Sequence, residues 1–201
     1  QVKDPLVVRF WETEFKEIRA NPRMVTEAIA PIQNKVNRFL SSSTIRNILG
    51  QKKSTLDIWN AMNDGKIILM NLSKGKIGAD NANLLGALLV SRIQFYALQR
   101  AKIPYEKRRP FYLYVDEFQN FATHSFTKML SEGRKYKLRV TLAEQSTSQQ
   151  DDRNIVNVIL ANVTTVVVFR SANYIDEELM LNQFTPYIDK GEISNLPKYN
   201  F

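Results

Sequence analysis

The stretch FYLYVDEFQNF, residues 111–121, runs five apolar and aromatic residues straight into two adjacent acids, Asp116 and Glu117. Phe111 to Val115 read as a strand buried in a sheet, because β-branched and aromatic residues in a short unbroken run suit the inside of a parallel sheet. A strand that stops in a solvated acidic turn is the plain explanation of the acids. A strand that aims carboxylates at a ligand is the alternative, and the surrounding sequence decides between them.

On either side the chain alternates. KIILMNLS (66–73), LRVTLAEQ (138–145) and TTVVVFR (164–170) are further strand-like runs. Between and after them, ANLLGALLVSRIQFYALQRA (82–101), SFTKMLSEGRKY (125–136), IVNVILANV (155–163) and YIDEELMLNQF (174–184) have helical spacing. Four strands separated by helices predict an α/β fold, a parallel sheet flanked by helices over residues 65–201. Residues 1–64 read as a mostly helical lead-in to the same single domain, 1–201. Within it, residues 21–40 carry an amphipathic helix that Pro31 should kink or split. Residues 54–65 form a short helix capped by Ser54 or Thr55 and stopped at Gly65.

Composition narrows the chemistry. The 201 residues are 44% apolar, enough for one sizeable core, and contain no cysteine, which excludes disulfides and thiolate metal sites. The net charge of +8 permits a polyanionic partner without requiring one. The longest apolar runs fall short of the ~18 residues that cross a bilayer. His124 is the only histidine, and no G-x-S-x-G elbow accompanies it, so a Ser-His-Asp hydrolase is disfavoured.

Ligands of parallel α/β sheets sit beyond the carboxyl ends of the strands, which is where Asp116 and Glu117 fall. An aliphatic strand ending in Asp-Glu is the Walker B pattern of nucleotide hydrolases. In that pattern Asp116 holds Mg²⁺ through its water ligands and Glu117 polarises the attacking water. Gln145 ends the next strand, where a neutral amide can bond both a terminal phosphate and the lytic water. Arg134 and Lys135 follow a helix, a place that favours cations for dipole reasons alone.

Taken in order, YLYVDEFQNF, LSEGRKYKLRVTLAEQS and ANVTTVVVFRSANYIDEELM resemble the HerA/FtsK superfamily of ring-forming, DNA-pumping ATPases. Within it they look most like the type IV coupling proteins of conjugation and type IV secretion. NKVNRFLSSSTIRNIL, GKIILMNLSKGKIG and LLGALLVSRIQFYALQR extend the resemblance over residues 4–201. The resemblance implies a RecA-like P-loop fold, ATP and Mg²⁺ as cofactors, and a homo-oligomeric ring, a hexamer, at the cytoplasmic face of the membrane. It implies DNA held by backbone contacts, and conjugation or type IV secretion components as partners. It also implies Asp116 as the Walker B aspartate, Glu117 as the catalytic glutamate and Gln145 as the sensor. Arg134 becomes the arginine that reaches a neighbouring subunit's nucleotide, and Arg170 a phosphate or interface contact.

One part of that pattern is missing. No G-x-x-x-x-G-K-[ST] stretch occurs: Gly65-Lys66 and Gly75-Lys76 are each followed by Ile. The RecA-like sheet is therefore expected to be incomplete, its phosphate-binding strand and loop lying in a preceding segment or lost. The abrupt ends suggest a piece of a longer protein. A non-hydrolysing scaffold or DNA-binding module is the competing function, and a protein-exporting secretion ATPase shares most of the motifs. A superfamily 1 helicase also has a D-E-x-Q context but would need G-D-x-x-Q where this chain has LAEQ. Two basic segments remain: QRAKIPYEKRRPF (99–111), a solvated or phosphate-contacting loop, and SKGKIGADNAN (73–83), a candidate pore loop.

Overall fold

Two of the four strand-like runs pair. β1 (Phe111–Val115) and β2 (Leu138–Leu142) lie parallel, with Phe111 opposite Leu138 and Val115 opposite Leu142. The structure, a computed structural model, describes residues 4–122, 124–149 and 153–201. The other two runs, 66–73 and 164–170, are neither helix nor strand and join no ladder among the described residues, where four strands were expected. Alternation tells which side chains share a face. A strand also needs a neighbour for its N–H and C=O groups.

All four runs nevertheless keep a two-residue rhythm of burial. In β1, Phe111, Leu113 and Val115 turn inward while Tyr112 and Tyr114 remain 57% and 72% exposed. Ile67 and Leu69 are about fully exposed at 90% and 91%, between the half-buried Ile68 and Met70.

The chain divides into two compact units, Gln1–Ser54 and Thr55–Phe201. The first contains α1 (Pro5–Glu12), α2 (Glu14–Ala20), α3 (Pro22–Leu40) and α4 (Ser43–Leu49). Asp4 caps α1 through the Leu6 amide at 2.9 Å, and Ser42 caps α4. α3 is not split: it continues through Pro31 as one helix.

The second unit follows with α5 (Ile58–Asp64), α6 (Lys74–Ile77), α7 (Ala79–Gln99), β1, α8 (His124–Glu132), β2, α9 (Arg153–Asn162), α10 (Tyr174–Phe184) and α11 (Glu192–Asn195). Asp57, not Ser54 or Thr55, caps α5, accepting from the Asn60 amide at 3.0 Å. Gly65 ends α5 as expected, at φ 74°, and Lys66 N–H returns to Ala61 O at 3.0 Å in a Schellman closure.

The core lies on one side of the strand pair. Ile58 and Met62 of α5, Val90, Ile93 and Ala97 of α7, Phe126 and Met129 of α8, and Ile155 and Ile159 of α9 pack with Val115 and Leu138. Phe126 is completely buried, a contribution of about 1.5–3 kcal/mol by area. Among the described residues, no helix is long and apolar enough to cross a membrane.

Candidate functional site

Past Val115 the two strands remain tied. Ala143 N–H donates to Val115 O at 3.0 Å, and Phe118 N–H donates to Ala143 O at 3.1 Å. The second bond steps over Asp116 and Glu117, so both acids stand on a short turn whose two ends are held by the neighbouring chain.

Glu117 adopts the left-handed conformation, φ 51° and ψ 44°, which costs a residue with a Cβ roughly 1–2 kcal/mol. Its own turn offsets that cost. Glu117 N–H bonds Asp116 Oδ1 at 3.0 Å, and Glu117 O accepts from Asn120 N–H at 3.0 Å and Asn120 Nδ2 at 2.9 Å. The next residue, Phe118, is buried and stacks on Phe126 with ring centres 6.1 Å apart, anchoring the turn in the core.

Two side-chain amides meet the Glu117 carboxylate. Gln119 Nε2 donates to Oε2 at 2.5 Å, and Gln145 Nε2 donates to Oε1. The structure therefore brings together Asp116, Glu117 and Gln145 at the carboxyl edge of the parallel pair. Asp116 is exposed and Glu117 half-buried. Lys74, from the segment read as a candidate pore loop, reaches the same turn and donates to Asn120 Oδ1 at 2.7 Å.

Arg134 lies elsewhere. It is exposed in a 3-10 turn, Gly133–Tyr136, that leads into the amino end of β2. The five residues of β2 separate it from Gln145 by about 17 Å of strand. Arg170 is exposed at the end of the run 164–170. Among the described residues, neither arginine forms an ion pair with Asp116 or Glu117.

The basic segment before β1 is divided: Lys102, Lys107 and Arg109 are exposed, as a solvated loop would have them, while Arg100 and Arg108 turn to main-chain acceptors. Arg100 is fully buried and donates to Asn63 Oδ1 at 3.1 Å, to Tyr136 O at 2.9 Å and to Arg109 O. Burial, with the like charge of Arg108 adding to it, lowers the pKa of Arg100 from its ordinary value. Arg108 donates to Ile103 O at 2.8 Å and Lys135 O at 2.6 Å, between the rings of Tyr105 and Tyr136. These guanidinium groups hold main-chain carbonyls at the amino edge, away from the acids. Charge clustering in the sequence gives no sign of such acceptors.

Two buried acids escaped the sequence reading. Asp176 and Glu177, in the first turn of α10, are 5% and 8% exposed. Asp176 accepts from Ser146 and Thr147, and Glu177 Oε1 accepts from Gly191 N–H at 2.8 Å at the start of α11. Acids are ordinary in a helix's first turn, so their positions alone carried no signal. The side chain of His124 lies outside the described residues.

As for metal, no group of three His, Cys, Asp or Glu side chains among the described residues forms a cage. Mg²⁺ is commonly held by one or two carboxylates together with substrate phosphates and water. The single exposed Asp116 fits that mode and no self-contained metal site.

Neither a curated protein nor a solved structure matches the chain. Residues 110–180, the span from the start of β1 into α10, match the family described as the TraM recognition site of TraD and TraG, a similarity that supports a conjugative coupling-protein context.

Proposed function

We propose that the chain is part of a ring-forming, ATP-driven DNA translocase of conjugation, the Walker B-containing portion of an incomplete RecA-like domain. The observation that carries this reading is the meeting of Gln145 with Glu117 at the carboxyl edge of adjacent parallel strands. A carboxylate held in place by amides from its own turn and from the next strand is set to orient a water. An amide that can exchange that carboxylate for a phosphate oxygen is set to register the nucleotide. Asp116 is the residue that would hold Mg²⁺ through water, and Mg²⁺ would supply charge neutralisation on the phosphates. Arg134, a strand length from its own Glu117, would act on a neighbouring subunit's nucleotide. Arg170 is proposed as a phosphate or interface contact.

A second reading rests on the family match. A TraM recognition site in TraD and TraG is a partner-binding region, and residues 110–180 would then also dock a TraM-like component of the DNA-processing complex. Steady-state ATP hydrolysis by the full-length protein, with and without Glu117→Gln, separates the two. Hydrolysis lost in the variant supports the motor. A wild-type protein that hydrolyses nothing, yet captures a TraM-like partner, leaves the recognition module alone standing.

A further inference from the structure

Gln145 does not hold its own position. It is exposed, and the chain beyond it leaves β2 without a further ladder. What fixes the loop is the first turn of α10. The Asp176 carboxyl accepts Ser146 Oγ at 2.7 Å on Oδ2, and both Thr147 N–H, at 3.1 Å, and Thr147 Oγ1 on Oδ1. Asn173, the N-cap of α10, adds Nδ2 to Ser148 Oγ at 3.1 Å while its own Oδ1 accepts Ile175 N–H at 3.0 Å. Three consecutive residues after Gln145 are thus bonded to one helical turn.

Asp176 is 5% exposed, and a buried carboxylate is costly unless its oxygens are bonded; here Ser146 and Thr147 of this loop supply the donors. With residues 146–148 bonded to α10, the backbone next to Gln145 is held where its amide reaches Glu117. Side chains that must sit within ~0.5 Å of a working geometry depend on such outer supports.

We propose that Asp176 is a positioning residue for Gln145: by clamping Ser146 and Thr147 it keeps the Gln145 amide on the Glu117 carboxylate. The proposal rests on the hydrolytic reading of Glu117 and Gln145. It makes α10 a support of the hydrolytic site.

The test compares Gln145→Ala, Asp176→Ala, Asp176→Asn and the double variant Asp176→Ala/Gln145→Ala in the full-length protein. ATP turnover is measured, and affinity is read separately with a fluorescent ATP analogue. Asp176→Ala is expected to lower kcat about 10- to 100-fold, the range for lost outer-shell partners, with analogue affinity retained. Asp176→Asn, which still accepts from the Thr147 amide and can donate to Ser146 Oγ, is expected to recover most of it. The double variant is expected to be no slower than Gln145→Ala alone, because both changes remove one function.

If Asp176→Ala fails to fold, Ser146→Ala/Thr147→Val removes the clamp from the loop side and is expected to lower kcat in the same way. Normal turnover in the clamp variants beside a slow Gln145→Ala, or losses that multiply in the double variant, overturn the positioning role alone. Normal turnover in Gln145→Ala overturns the hydrolytic reading itself, and the positioning role with it.

Discussion

The side-chain amide of Gln145 donates to Oε1 of Glu117 across the gap between two parallel strands, joining residues far apart in the chain. The contact depends on backbone bonds that carry both strands past their last ladder pair, above all Phe118 N–H to Ala143 O at 3.1 Å.

Glu117→Gln in the full-length protein is expected to keep ATP binding and to lower hydrolysis by about 10²- to 10⁴-fold, the usual span for a general base. Phosphate release measured beside a binding titration checks it. Undiminished release rejects Glu117 as the water-orienting group.

Arg134 sits at the opposite edge from Glu117, so its contribution is expected to appear only between subunits. Arg134→Ala and Asp116→Asn should each slow turnover alone. Rings assembled from the two variants together should recover part of the activity, because some interfaces then pair an intact arginine with an intact acid. Mixed rings as slow as the pure ones argue against action in trans.

Arg100→Leu is expected to destabilise the second unit by about 3 kcal/mol, since two carbonyls and the Asn63 amide oxygen lose their donor in a dry site. Urea unfolding of wild type and variant measures the difference. A loss below ~1 kcal/mol would mean that water replaces the guanidinium.

Gly65→Ala is expected to cost about 1–2 kcal/mol from the left-handed backbone alone. It should cost more if Arg109 must move, because a Cβ there would lie 2.1 Å from its Cζ. The same unfolding experiment reads it, and an unchanged midpoint sinks the idea.

The chain without a phosphate-binding loop is expected to hydrolyse no ATP. Isothermal titration with ATP and Mg²⁺ should show no tight binding, and a micromolar dissociation constant would contradict this.

Much of the site was legible because β-strand chemistry is local. Aromatic residues up to Val115 mark a strand, and the acids after it need no tertiary information to be placed at its end. The ladder was less legible. Ile67 and Val167 sit in runs whose alternation is as regular as that of β1, yet pairing depends on a neighbour that no single run specifies.

Pro31 does not split α3, because a proline removes one helical hydrogen bond and the turns on either side still carry theirs. The acceptors of Arg100 are backbone carbonyls brought together by folding, and Asp176 resembles any acid at a helix start. Neither leaves a mark in residue order.

Tyr112 and Tyr114 project from the outer side of β1, and Ile67, Leu69, Val167 and Phe169 are exposed in the runs 66–73 and 164–170. Greasy surface of this kind is expected to make the isolated polypeptide self-associate in solution. It should light up environment-sensitive dyes while natively folded and clump as its concentration rises. Replacing Tyr112 and Tyr114 with threonine should improve its recovery from expression without loosening the packed interior.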